Sequence, residues 1–229
     1  MGRRVGLLVP SSNTVMEVDF YRHLPPSATV HTGRMYMEAT TVKGEEEMLD
    51  DHCLPTASDV ATAKPDLVVF GCTSAGALRG NAYDAELCRR ISDVTGKPTV
   101  SVIESVRQKL VSLNVRRVAV FTPYIDDLNV RIKTSVEDDG IEVSSIHGMG
   151  ISVNFNLALV EPPQILEFVR EKLEVKAHVD ALFISCTNYQ AVATLPSLNA
   201  VYDIPIVTSN QAALEAVSRG LDLELVGMD

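Results

Sequence analysis

The feature that most restricts how this chain can fold is a strand-and-turn unit that occurs twice. Leu67-Val68-Val69-Phe70 is an unbroken apolar run ending at Gly71-Cys72-Thr73-Ser74, and Ala181-Leu182-Phe183-Ile184 ends at Ser185-Cys186-Thr187-Asn188. Short apolar runs bounded by turn residues are read as parallel strands buried on both faces. Two more pairs keep the same order. Arg4-Val5-Gly6-Leu7-Leu8-Val9-Pro10 matches Arg117-Val118-Ala119-Val120-Phe121-Thr122-Pro123, and Lys97-Pro98-Thr99-Val100-Ser101 matches Ile204-Pro205-Ile206-Val207-Thr208. Three markers in one order at nearly one spacing describe two copies of a βα unit, so an α/β fold is expected. A cleft between the copies presents one cysteine from each side.

In chain order, Val5 to Val9 reads as the first strand, and Pro10-Ser11-Ser12-Asn13-Thr14 as a polar loop before a helix to about His23. In that loop Asn13 or Thr14 caps the helix, or Ser11, Ser12 and Asn13 offer donors at the carboxyl end of a strand; both readings stay open. A second strand follows over Ala28 to Met37. The pattern of Lys43 to Ala63 is helical with an interruption at Pro55, and the run Glu45-Glu46-Glu47 reads as a solvated helix face. Tyr83 to Val94 is an amphipathic helix with Gly96 just past its end. Pro98 to Val102 is a strand and Ile103 to Leu113 a helix into the second half. There Val118 to Thr122 and Ile141 to Ile146 read as strands, and Gly148 to Leu159 as an irregular loop near the cleft. A helix is expected from Pro162 to about Ala177. Ser209-Asn210-Gln211 caps a last helix over Ala212 to Gly220, which packs back on the first half. The expected division is 1–102 plus 209–229 against 103–208.

Several function classes are set aside by composition. The 229 residues carry a net charge of −10 without any basic block, which argues against a nucleic-acid partner. No apolar segment approaches a membrane span, and no signal-peptide pattern precedes the first strand, so a cytoplasmic location is expected. The four cysteines are expected to be reduced, with Cys53 and Cys88 as small hydrophobes inside helices. No Cys-x-x-Cys or close histidine pair suggests a metal, and no Gly-x-Gly-x-x-Gly follows the first strand.

The thiolate is the reactive form of cysteine, and a helix N-terminus favours it. Both Cys72 and Cys186 are expected at such a terminus. Two thiols across a substrate can exchange protons with its two faces, or one can add to an activated double bond while the other assists. Either route develops charge on a carboxylate. Backbone N–H groups after each cysteine, with Thr73, Ser74, Thr187 and Asn188, are the expected cradle. A lone cysteine in such a turn is ordinarily a buried filler; a duplicated Cys-Thr is not.

At these residues the sequence resembles the aspartate/glutamate racemase superfamily, in its branch of maleate cis–trans isomerases and arylmalonate decarboxylases. The resemblance is carried by Val9-Pro10-Ser11-Ser12-Asn13-Thr14-Val15-Met16-Glu17, Gly33-Arg34-Met35-Tyr36-Met37, both cysteine turns and Ser209-Asn210-Gln211-Ala212. It implies two Rossmann-like parallel-sheet halves related by a pseudo-twofold, with no cofactor, no metal and a homo-oligomer, dimer or tetramer. It also implies Cys72 as nucleophile, Cys186 as partner acid/base, Asn13 as a carboxylate binder and Tyr124 as the site tyrosine of the second half. A second asparagine falls at Asn154, with Asn156 close by. Decarboxylases of the branch have glycine where Cys72 stands, so the intact pair argues against decarboxylation, and the leading expectation is a cofactor-independent cis–trans isomerase of maleate or a similar small cis-dicarboxylate. The hydroxyl-rich Cys72-Thr73-Ser74 turn is partly decarboxylase-like. The alternatives are a two-thiol racemase of amino or related acids, an arylmalonate-type decarboxylase, and a ligand-binding protein without turnover.

Overall fold

The structure is a computed structural model that describes residues 2–173 and 178–228. The chain runs β1 (Arg3–Pro10), α1 (Met16–His23), β2 (Ala28–Met35), α2 (Val42–Glu47), α3 (Cys53–Ala61), β3 (Leu67–Phe70), α4 (Thr73–Leu78), α5 (Asn81–Thr95), β4 (Thr99–Ser101) and α6 (Val102–Ser112). It continues with β5 (Arg117–Thr122), α7 (Asp126–Glu137), β6 (Glu142–Gly148), the single turn α8 (Asn154–Leu157), α9 (Pro162–Lys172), β7 (Ala181–Ile184), α10 (Ala191–Asn199), β8 (Ile206–Thr208) and α11 (Ser209–Leu221). Each half is a four-stranded sheet, ordered β2-β1-β3-β4 and β6-β5-β7-β8, and all pairings are parallel. The α/β fold expected from the repeat is therefore the observed one.

This strand order places the cysteines. The chain reverses direction across the sheet between β1 and β3, and again between β5 and β7, so the carboxyl ends of those strands form two topological switch points. Cys72 lies just beyond β3 and Cys186 just beyond β7.

Strand periodicity distributes the core. Val5, Leu7 and Val9 of β1 share one face with Leu67 and Val69 of β3, against Phe20 of α1 and Ala213, Leu214 and Val217 of α11. Leu8, Val68 and Phe70 point the other way, into a cluster with Ala57 and Val60 of α3 and Leu87 and Ile91 of α5. That second cluster continues without a break through Ile103, Val106 and Leu110 of α6 into Val118, Val120, Phe121, Leu182 and Phe183. Successive side chains on a strand point to opposite faces, so both sheets are buried on both sides.

Local departures have local causes. The helix expected over Lys43 to Ala63 breaks at a π turn, Met48–His52, before Pro55. Pro55 has no N–H for the carbonyl four residues back, and its ring crowds that carbonyl, so the ladder shifts one residue there. Gly96 ends α5 in the left-handed region at φ 66°, as its position past the last turn requires. The helix expected to Ala177 ends at Lys172, with Leu173 extended; residues 174–177 lie outside the described set. The cap of α11 is Thr208, whose side chain accepts from the Gln211 N–H, rather than the Ser-Asn-Gln triplet.

A short backbone strap also joins the halves. Ala39 pairs with Val153 in an isolated antiparallel bridge, Thr40 N donates to Ser152 O at 2.7 Å, and Asn154 N donates to Glu38 O at 2.9 Å. Among the described residues no helix is long and apolar enough to cross a membrane.

Candidate active site

The Cys72 turn forms because β3 runs out at Gly71, whose N–H bonds Leu8 O at 2.7 Å, and the chain then enters α4. Cys72 is the extended residue before that helix, at φ −139° and ψ 112°. Its sulfur accepts from the Ala75 backbone N–H and lies 3.9 Å from Ser74 Oγ.

Cys186 does not reproduce this geometry. It stands at φ 117°, and a turn separates it from α10, which begins only at Ala191. The expectation that both thiols sit at helix N-termini is thus met by Cys72 alone. Cys186 has other donors: Asn188 N–H reaches its sulfur at 3.2 Å and the Tyr124 hydroxyl donates to it.

The two turns are laced to each other. Thr187 Oγ1 donates to Gly71 O at 3.1 Å, so the residue after one cysteine holds the residue before the other. Thr73 Oγ1 donates at 2.9 Å to Ser209 Oγ, which also accepts from Cys186 N at 3.0 Å. Asn13 Oδ1 accepts from the Val15 and Met16 N–H groups while its Nδ2 donates to Thr187 Oγ1 at 3.1 Å. Asn13 thus caps α1 and reaches across the junction at once. Asn188 accepts from Thr14 N and donates to Asn154 O, and Asn154 Nδ2 donates to Ser12 Oγ at 2.7 Å.

The structure therefore gathers Cys72, Cys186, Thr73, Ser74, Tyr124, Thr187, Asn188, Asn13 and Asn154 at one buried junction. Asn154 is 2% exposed, whereas Asn156 faces solvent. Ser11 stands apart from this lacing, tied to the main chain of Met37. The junction is shut: Cys72 is 4% and Cys186 3% exposed. Cys53 and Cys88 are buried in the core, and all four cysteines are free.

Residues that the sequence reading named only as a helix cap or a helix face also meet here. Ser209 bridges the cysteine turns, and Asn210 donates to Asp19 and to Thr187 O. Their signal was available, as a polar pair at the carboxyl end of a buried strand. Glu45 is the larger correction. The acidic run is not a solvated face throughout: Glu46 and Glu47 are exposed, but Glu45 is fully buried and accepts from Ser74 Oγ. Among the described residues no group of three His, Cys, Asp or Glu side chains is placed to hold a metal ion.

Burial dominates the electrostatics. It pushes the Cys186 thiol up to about 12 against the pull of Tyr124 and Asn188, and lifts Cys72 well above its ordinary range, with the Glu45 carboxylate adding to the rise. The expected lowering at a helix N-terminus is outweighed, because removing a thiolate from water costs more than one N–H donor returns. Cys72 also feels the charge of Cys186, so the two sulfurs are electrostatic neighbours. Burial raises Glu45 to about 8. Its folded value lies above the unfolded one near 4.5, so its stabilising contribution is complete below 4.5 and is lost as pH rises through 8. Melting temperature should accordingly fall more steeply between pH 5.5 and 8.5 in the wild type than in Glu45→Gln. Parallel slopes by calorimetry would contradict this placement of Glu45.

A family model described as arylmalonate decarboxylase matches residues 5–228. The chain belongs to that family. The maleate isomerase of Pseudomonas putida is 27% identical over 238 residues, which span 96% of this chain and 92% of its own length. The arylmalonate decarboxylase of Bordetella bronchiseptica is 24% identical over 211 residues, spanning 91% and 86%. The crystal structure of the maleate isomerase Iso from Pseudomonas putida S16 has the same fold, with a TM-score of 0.91 at 26% identity over 97% of this chain and 94% of that one. The superfamily branch read from the motifs and the two-sheet architecture are thus both borne out. In this chain each of the two repeated turns carries a cysteine.

Proposed function

We propose that the protein is a cis–trans isomerase of maleate or a similar small cis-dicarboxylate. The observation that carries this reading is the pair of thiols, Cys72 and Cys186, at the two switch points of one closed polar junction. The likeness to maleate isomerases over nearly the whole chain supports it.

In this reading the Cys72 thiolate adds to one olefinic carbon. The S–C bond forms, the C=C bond becomes single, and its electron pair moves into the carboxylate of the neighbouring carbon as an enediolate. Donors of the two cysteine turns, with Asn13, Asn154 and Tyr124, hold the two carboxylates while the C–C axis turns. Asn13, Asn154 and Asn188 each have one side-chain N–H beyond those bonded within the protein. Cys186, with Tyr124 on its sulfur, stands as partner acid/base. The enediolate then returns its electrons, the S–C bond breaks, and the double bond reforms as trans.

The reaction balances on the thiols alone, and we propose that it uses no cofactor. Four free cysteines suit a reducing compartment, which supports a cytoplasmic location. Val153, Phe155 and Leu159 are exposed within one short stretch, which supports assembly as a homo-oligomer.

No original C–H bond breaks in this sequence. Maleate incubated with the protein in D2O should yield fumarate with its vinyl hydrogens largely retained, read by NMR, and free amino acids should show no Cα exchange. A racemase breaks Cα–H on every inversion. Rapid Cα exchange in an amino acid with maleate untouched would replace the isomerase reading with the racemase one.

A further inference from the structure

Glu45 has no part in the reaction as written above, yet its setting is that of a working acid. Thr41 caps α2 by accepting from the Gly44 N–H, and Gly44 lies so close to Ala39 that a Cβ there would stand 2.2 Å from its carbonyl oxygen. This tight entry turns the next residue inward. Glu45 is fully buried; Ser74 Oγ donates to its Oε1, and its Oε2 has no hydrogen-bond partner. The same Ser74 Oγ is 3.9 Å from Cys72 Sγ. A buried carboxyl oxygen without a partner is costly, and its retention beside a reacting group calls for a reason.

We propose that Glu45 is a positioning residue that takes up the proton of Cys72, with Ser74 Oγ as the carrier between them. The Sγ–H proton passes to Ser74 Oγ as the Ser74 O–H proton passes to Glu45 Oε1. No proton enters or leaves the protein. One negative charge moves from carboxylate to sulfur, where the Ala75 N–H receives it. The proton stays on Glu45 while sulfur is bonded to carbon, and returns by the same path afterwards. The proposal rests on Cys72 being the nucleophile.

The electrostatics fit this exchange. A carboxyl at its ordinary strength is too weak a base for a thiol; burial raises Glu45 to about 8, which makes it a stronger one, while part of the rise at Cys72 comes from the Glu45 charge itself and goes when Glu45 is protonated. The titratable groups that feel its charge are Cys72, Cys186 and Tyr124, all held neutral by burial. The cluster thus favours a single negative charge, and protonating Glu45 removes the repulsion that otherwise opposes the Cys72 thiolate.

The test uses two readouts on wild type, Glu45→Gln, Ser74→Ala and the double variant. Alkylation of Cys72 by iodoacetamide, followed by peptide mass spectrometry across pH 6–10, should show a limb with a midpoint near 8 in the wild type that is absent from all three variants. Maleate turnover at pH 8 should fall about 100-fold in each single variant with KM nearly unchanged, and the double variant should be no slower than either. If Glu45→Gln does not fold, Ser74→Ala carries the same comparison. Persistence of the limb without Glu45, turnover within threefold of wild type, or multiplied losses in the double variant would overturn the proposal. An alkylation limb that depends on Glu45 in a protein inert to maleate leaves the proton path standing and removes the substrate. Maleate turnover with a limb indifferent to Glu45 does the reverse.

Discussion

Cys72→Ala is expected to give a folded protein that isomerises maleate at least about 10³-fold more slowly than wild type, because in the proposed reaction it removes the atom that bonds to substrate. Little else changes. The Cys72 sulfur touches Ser74 Oγ and one backbone N–H, while Ser74 keeps its bond to Glu45 and the lacing through Thr73, Thr187 and Ser209 is untouched. Far-UV circular dichroism should therefore match wild type while steady-state turnover collapses. Cys53→Ala is the control: Cys53 is fully buried in α3, away from the junction, and its loss should register only as lower stability. Near-normal activity in Cys72→Ala would favour a single-cysteine, decarboxylase-like chemistry instead.

At Cys186 activity and stability should separate. Both Cys186→Ala and Cys186→Gly should lose turnover by orders of magnitude, but the glycine variant should be the more stable of the two. A side chain at φ 117° is held in a region that only glycine enters freely, at a cost of about 1–3 kcal/mol. Glycine relieves that cost and alanine does not. At Cys88, inside α5, the order should invert, with glycine about 1 kcal/mol less stable than alanine. Denaturant midpoints of the four variants give the answer. An alanine variant at least as stable as the glycine one at position 186 would mean that the backbone there is not strained.

What the sequence disclosed was whatever depends on short, unambiguous patterns. Leu67–Phe70 and Ala181–Ile184 are strands at those bounds because four apolar residues between turns suit a short strand buried on both faces. The repeat located both cysteines at corresponding strand ends. It could not disclose that the turns differ, since the Cys186 N–H is held by Ser209 Oγ, 23 residues further along the chain. Glu45 was misread for a comparable reason. Its two acidic neighbours are solvated, and the π turn after α2 breaks the phase from which an inward face would have been counted. α10 left little trace, because Thr194, Pro196 and Ser197 interrupt the pattern of a helix held by packing. Helix-end electrostatics was the right consideration for an exposed thiol and the wrong one for a buried thiol, where desolvation is the larger effect.

The strap between Glu38–Thr40 and Ser152–Asn154 sets a condition on kinetics. Both thiols are almost wholly buried, so a ligand reaches them only in molecules where the junction has opened. An open cavity of about 300 Å³ is lined by Glu38 and Ala39 of the same segment, with Tyr36, Met37, Gly44 and Glu47. Apparent affinity is then the intrinsic affinity scaled by the open fraction, so a protein one part in a hundred open binds a hundredfold more weakly than its contacts warrant. Asn154 belongs to both the strap and the junction, so a strap residue that touches the site also bears on how much substrate is needed to saturate the enzyme.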